Sequence, residues 1–299
     1  MKVALVGYGY WGKILRKYID ASPNFELTAI TTKDDVISDP IFTTLDEILE
    51  NESIEAVFVC TPIDSHYDIC KACLQRGKHV FCEKPTVKTM QQFQSILKIA
   101  EKQSRIIHTD YIYTTSPSIK KIQQQLEIIG EVCSVSGEIS QFGNFYPNDS
   151  VDEILGVHLF SVLAYLFPQF TINDIYYNHC NVLKNWEQRV CIIINEKIDV
   201  TFLYGLLSNK KIRKIKIVGV LGIFLFDMLD LEGSLRLTRY SQDSMGQWNK
   251  REEEIWNFDE GNNLESALKD FQKAIVTGNN IENIEIATRV MEVLDYLRK

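Results

Sequence analysis

Lys2-Val3-Ala4-Leu5-Val6-Gly7-Tyr8-Gly9-Tyr10-Trp11-Gly12 is the stretch on which the fold turns. Lys2–Val6 reads as a buried strand. Gly7, Gly9 and Gly12 then form a GxGxxG turn that opens an amphipathic segment, Trp11–Ile19, with Trp11, Leu15, Tyr18 and Ile19 near one face. A bound dinucleotide needs this order of strand, glycine turn and helix. Gly7 permits the tight turn, Gly9 lets the backbone approach a pyrophosphate, and Gly12 lets the helix lie close to the sheet. The helix start offers free N–H donors and the positive end of its dipole to the phosphates. Tyr10 and Trp11 therefore join the three glycines as candidate cofactor residues.

Outward from this unit, strand and helix signals alternate. Glu26–Thr31 reads as a strand, and Thr44-Leu45-Asp46-Glu47 resembles a capping box. Strands follow at Glu55–Cys60, His79–Cys82 and Arg105–His108, with helices at His66–Arg76 and Thr89–Gln103. Val- and Ile-rich strands alternating with helices predict a parallel sheet covered on both faces. After about residue 118 the pattern changes. A helix over Ser118–Ile128 leads to strand signals at Cys133–Phe142, Val190–Ile194, Asp199–Leu206, Arg213–Val218, Gly222–Phe226 and Ser234–Thr238. Several alternate apolar and polar residues, as in an antiparallel sheet. Asp152–Phe167 reads as a helix packed on that sheet, and Leu264–Val276 and Ile284–Leu297 as closing helices. The expected class is α/β, with two domains, 1–117 and 118–299, the second of them α+β with an open, mainly antiparallel sheet.

Composition narrows the function classes. The chain has 299 residues, 45% hydrophobic and 24% charged, which suits a soluble globular protein. A net charge of −8 argues against nucleic-acid binding, which usually needs a basic surplus. No run reaches the roughly 18 to 20 apolar residues of a membrane span. The chain starts on its first strand, with no export signal, and its seven cysteines suit reduced thiols, so a cytoplasmic location is expected. Cys70 and Cys73 form a CxxC without a second pair to complete a zinc site, and read as ordinary thiols. No metal is expected.

The end of the second strand bears on which dinucleotide is used. An acid there would bind the adenosine ribose. This chain has Thr31-Thr32-Lys33-Asp34. Thr32 with Lys33 suits a 2′-phosphate, whereas Asp34 suits a free ribose. NAD and NADP both stay open.

Two further segments are more specific. Ala56-Val57-Phe58-Val59-Cys60-Thr61-Pro62 with His66, and Gly77-Lys78-His79-Val80-Phe81-Cys82-Glu83-Lys84-Pro85, resemble the Gfo/Idh/MocA oxidoreductase family. Asp110–Pro117 is similar to that family's domain crossover, Val218–Gly222 and Asp227 to its later strands, and Leu264–Phe271 with Gly278 to its closing helices. The resemblance implies a Rossmann domain followed by a substrate and oligomerisation domain, with NAD or NADP as cofactor. It implies that Thr61, Pro62 and His66 border the nicotinamide and that Glu83-Lys84-Pro85 presents Lys84 to a sugar. His66 also fits a simple helix-capping role.

Lys84 reads consistently from its position. It follows a buried strand at the carboxyl edge of a parallel sheet, where ligands bind, and Pro85 restricts its backbone. A partly desolvated ammonium there can hold a hydroxyl and move its proton. His158, in Gly156-Val157-His158-Leu159, has a mainly apolar surround typical of a core histidine. The resemblance implies instead that it is the proton acceptor, a role neutral imidazole suits near pH 7. Here the chain departs from the family, which often places acids four residues before and three after; this chain has Ile154 and Ser161. Tyr111 and Tyr113 follow the last parallel strand, where alternation would put both on one side to bind substrate or pack. His79 and His108 read as structural, and Lys210, Lys211, Arg213, Lys214 and Lys216 as a solvated sheet face.

The implied activity is hydride transfer between a sugar ring carbon and nicotinamide. Asp110–Pro117 is most similar to members that handle nucleotide-linked sugars in surface-polysaccharide and lipid A assembly. That implies UDP-N-acetylglucosamine 3-dehydrogenation by a homodimer or homotetramer. Another sugar or inositol dehydrogenase, a carbonyl reductase, or a non-catalytic cofactor-binding regulator are the alternatives.

Overall fold

The computed structural model describes residues 1–32, 41–145, 148–180 and 186–298. Contacts divide the chain into two compact units. One comprises Met1–Ile112 with Asn262–Asp295, the other Tyr113–Gly261 with Tyr296–Lys299.

In the first unit, β1 (Lys2–Val6), α1 (Tyr10–Ala21), β2 (Glu26–Thr31), α2 (Leu45–Glu50), β3 (Ala56–Val59), α3 (His66–Gln75), β4 (His79–Cys82), α4 (Met90–Gln103) and β5 (Ile107–Thr109) alternate as expected. The five strands are parallel, in the order β2-β1-β3-β4-β5. All four residues of β3 are buried, so neither of its faces meets water. Thr44 caps α2 in the full capping-box arrangement, its side chain on the Glu47 N–H and the Glu47 carboxylate on the Thr44 N–H.

The second unit holds α5 (Pro117–Gln125), β6 (Val132–Phe142), α6 (Val157–Leu166), β7 (Ile172–Cys180), β8 (Glu187–Ile194), β9 (Ile198–Gly205), β10 (Leu207–Gly219), β11 (Gly222–Asp227), β12 (Leu235–Gln242) and β13 (Trp248–Trp256). They make an eight-stranded sheet ordered β13-β12-β11-β10-β6-β9-β8-β7, antiparallel except for β6 beside β9. The edge strands β7 and β13 were not expected. Both are polar and largely exposed, which leaves no two-residue apolar rhythm to read. The helix expected over Asp152–Phe167 begins instead as a π-helical turn, Asp152–Gly156, before α6.

The last two helices, α7 (Asn263–Thr277) and α8 (Ile281–Leu297), change the expected partition. A linear break at residue 117 would assign both to the second domain. In the structure α7 lays Leu264, Ala267, Leu268 and Phe271 into the first unit's core, against Val3, Leu5, Leu15, Phe58 and Phe81. Phe271 is fully buried, with ring contacts to Phe25, Phe58, Phe81 and His108 at 5.5–6.2 Å between centroids. The apolar stripe of α7 is what draws it back to this sheet. Phe271→Ala is expected to destabilise the first unit by about 3–5 kcal/mol in denaturant unfolding; a loss under about 1 kcal/mol would show that α7 does not anchor this core.

Candidate functional site

In the first unit the strand order reverses direction of growth between β1 and β3, and the candidate residues gather at the strands' carboxyl ends. Ligands of doubly wound sheets bind at such a point. Gly7 follows β1 at φ +100°, and a Cβ there would lie 2.4 Å from the Cys60 carbonyl oxygen. Gly12 sits so close to the turn that its Cβ would lie 2.2 Å from the Gly7 carbonyl oxygen. These two glycines are therefore demanded by packing. Gly9 differs: a Cβ there meets no described residue within 4 Å. It is the N-cap of α1 and caps no N–H with a side chain. Trp11 Nε1 is buried with no acceptor among the described residues. Open space over Gly9, an uncapped helix start and an orphaned indole N–H together fit a dinucleotide phosphate. Tyr10 projects outward, 74% exposed. Thr32 follows β2, while Lys33 and Asp34 lie outside the described residues.

The loops after β3 and β4 are tied together by His66. It is buried, with Nε2 2.7 Å from the Thr61 carbonyl oxygen and Nδ1 3.0 Å from that of Pro85. Burial holds the imidazole below its usual pKa, against the pull of those carbonyls. The ring thus spans the two loops rather than capping the helix it begins. Thr61 also accepts from the Ser65 hydroxyl. The Lys84–Pro85 peptide is cis, and the Lys84 N–H donates to Glu83 Oε2 at 3.3 Å. Glu83 and Asp110 end neighbouring strands, and burial raises the pKa of both carboxyl groups. Asp110 carried no role in the sequence reading, although its place just past the last parallel strand was a usable signal.

Tyr111 and Tyr113 do not share a side as expected. Residues 112–115 form a turn, so strand alternation does not apply. Tyr111 is buried in the first unit near Thr86 and Thr109. Tyr113 belongs to the second unit, where its ring packs on His158 at 4.8 Å between centroids. Its phenol pKa is raised by burial and pulled back by the nearby Arg213 guanidinium. Arg213 corrects a second reading. It is buried, donating to the carbonyls of Ser140 and Ile212 and to Gln141, while Lys210, Lys211, Lys214 and Lys216 are exposed. Strand alternation puts Arg213 on the inner face with Ile215 and Ile217. That rhythm, hidden in a basic run, was the missed signal.

The acids next to Ile154 in sequence are held by other partners, as is Ser161. The Ser161 hydroxyl donates back to the His158 carbonyl at 2.9 Å. Asp152 accepts from the Tyr204 hydroxyl, and Glu153 from Arg298 and the Ser150 N–H. The imidazole packs on the ring of Tyr113.

Residues 1–111 match the family model described as an oxidoreductase family with an NAD-binding Rossmann fold. Among curated relatives, the scyllo-inositol 2-dehydrogenase (NADP(+)) IolW of Bacillus subtilis is 30% identical over 114 residues, 36% of this chain and 32% of its own length. The chain spans about a third of the length of the first curated relatives it matches. Two solved structures share the fold over the whole chain. UDP-N-acetylglucosamine 3-dehydrogenase GnnA from Acidithiobacillus ferrooxidans has a TM-score of 0.83 at 15% identity, covering 100% of this chain and 96% of that one. The 3-ketoreductase KijD10 from Actinomadura kijaniata, in complex with TDP-benzene and NADP, has a TM-score of 0.83 at 15% identity, covering 100% and 97%. Residues 1–111, with the glycine turn after β1 and Glu83-Lys84-Pro85 after β4, are thus similar to the NAD-binding Rossmann region of the Gfo/Idh/MocA oxidoreductases.

Proposed function

We propose that the chain is an NAD(P)-dependent oxidoreductase that acts on a CH–OH group of a sugar, with UDP-N-acetylglucosamine, oxidised at its 3-hydroxyl, as the first candidate. One observation carries the reading. The open space over Gly9 and the lysine of Glu83-Lys84-Pro85 stand at the same carboxyl edge of one parallel sheet. The sugar assignment is supported by the similarity to GnnA, a UDP-N-acetylglucosamine 3-dehydrogenase, and to KijD10, a 3-ketoreductase. The likeness to an inositol 2-dehydrogenase supports a cyclic polyol as the second candidate.

Gly7, Gly9, Tyr10, Trp11 and Gly12 would hold the pyrophosphate, Thr32 and Lys33 the adenosine ribose, and Thr61, Pro62, Glu83 and Lys84 the nicotinamide end. His66 would serve that end indirectly, by fixing the Thr61 and Pro85 loops. A bound nicotinamide supplies the hydride acceptor. Lys84 would donate a hydrogen bond to the reacting hydroxyl, and His158 would accept its proton. Tyr113 would orient the imidazole through its ring contact.

Native mass spectrometry of the purified protein tests the ligand assignment, since a retained dinucleotide or nucleotide sugar identifies itself by mass. Cofactor choice has its own expectation. If Lys33 meets a 2′-phosphate, NADP binds about 10- to 100-fold more tightly than NAD, the range of a charge-assisted hydrogen bond. Lys33→Ala then erases the difference in calorimetric titration. Equal affinities in the unmodified protein would remove Lys33 from the site.

A further inference from the structure

Glu83 and Asp110 are carboxyl groups at the carboxyl edge to which the proposed chemistry gives no proton. They end neighbouring parallel strands. Cys82 stands opposite Thr109 in the β4–β5 register, so the next residue on each strand, Glu83 and Asp110, falls beside the other. The Asp110 N–H donates to the Cys82 carbonyl at 2.8 Å and locks the two strand ends together. Asp110 is 1% exposed. Glu83 Oε1 and both Asp110 carboxyl oxygens are buried and receive no N–H or O–H donor among the described residues. Glu83 Oε2 is taken by the Lys84 N–H. The two carboxyl groups are near enough for each to shift the pKa of the other. A carboxylate only accepts, whereas a carboxylic acid has one O–H to give. Two carboxylates side by side cannot satisfy each other; an acid and a carboxylate can.

We propose that Glu83 and Asp110 share one proton at neutral pH, with Asp110 donating to Glu83, and that the pair is a positioning device for Lys84. Like charges side by side in a dry setting do not both ionise. Burial, then the Glu83 charge, pushes Asp110 far above the carboxylate range, while burial raises Glu83 only to about 7, held back by the Lys84 ammonium, the Lys84 N–H and Asp110. The proton therefore resides on Asp110. The other titratable groups facing the pair are Lys84 and the thiols of Cys60, just past β3, and Cys82. Burial raises both thiols, so neither adds charge. With Asp110 on one Glu83 oxygen and the Lys84 N–H on the other, Glu83 has a single orientation, and the peptide that carries Lys84 inherits it. Only the consequence for Lys84 rests on the oxidoreductase reading; the shared proton stands without it.

Infrared spectroscopy of the protein alone tests the shared proton. At pH 7 a buried carboxylic-acid C=O band, downshifted in deuterated water, is expected in the unmodified protein and absent from Asp110→Asn, where the amide N–H replaces the acid O–H. The band should also persist above the ordinary carboxylate range and fade only toward alkaline pH, a check that needs no variant. Stability gives a second readout. The folded-state pKa of Asp110 is raised, so its contribution is fully present below the unfolded value of about 3.9 and is lost as pH climbs toward the folded value. Asp110→Asn should therefore gain on the unmodified protein between pH 5 and 7, by up to tenfold in the folding constant per pH unit. For positioning, Asp110→Leu should lower kcat about 10- to 100-fold at constant dinucleotide affinity, and Asp110→Asn should restore most of it. No carboxylic-acid band at pH 7, or the same band in Asp110→Asn, overturns the shared proton. Equal kcat in the Leu and Asn variants overturns the positioning role. A protein with the band but no turnover on any sugar would sink the functional reading and leave the proton pair intact.

Discussion

Lys84→Met is expected to lower kcat about 10²- to 10⁴-fold on the identified sugar, the usual share of a general acid–base group, while dinucleotide binding persists. Methionine keeps the length of the side chain and removes the ammonium that would hold the reacting oxygen. His158→Ala is expected to cost a similar factor. The double variant should lose little more than either single one, because both residues would act on one proton of one hydroxyl. Steady-state kinetics with calorimetric titration of the dinucleotide separates the two effects. If His158→Ala keeps near-normal turnover, the imidazole is a packing partner of Tyr113, and Lys84 or a tyrosine takes the proton.

Gly9→Val is expected to weaken dinucleotide binding at least about a hundredfold, or ~2.7 kcal/mol, with the fold retained. No described residue comes within 4 Å of a Cβ at Gly9, so the fold can accommodate the isopropyl group, which would then fill the space a pyrophosphate needs. Gly7→Ala makes the contrast. Its Cβ would press on the Cys60 carbonyl at a backbone angle that suits glycine, so this variant should lose stability first. Unchanged dinucleotide affinity in Gly9→Val would reduce the motif to a turn.

How much of this was legible in the sequence differs between the two units. Strands β1 to β5 announce themselves because both faces are buried, so Ala56–Val59 or Val80–Cys82 read as unbroken apolar runs. The glycine turn and Glu83-Lys84-Pro85 are local in sequence and were read directly. The sheet of the second unit was legible wherever one face is buried, as in Arg213–Val218, but β7 and β13 lack that signal. The return of α7 to the first core was invisible, because an apolar stripe names no partner; only contacts with Phe58 and Phe81 do. The same limit hid Arg213 and Asp110. Each is an ionisable residue type that usually means exposure, and each is buried by its place in the sheet, which the sequence does not state.

The central claim is hydride transfer between a sugar carbon and nicotinamide, and nicotinamide absorbance measures it directly. The protein is incubated with NAD or NADP and, in turn, UDP-N-acetylglucosamine, free sugars and inositols. Reduced nicotinamide should accumulate with one of them, in step with a keto product identified by mass, and Lys84→Met should abolish both signals. Tight dinucleotide binding without nicotinamide reduction on any of these substrates would contradict the account and leave a cofactor-binding protein without this chemistry.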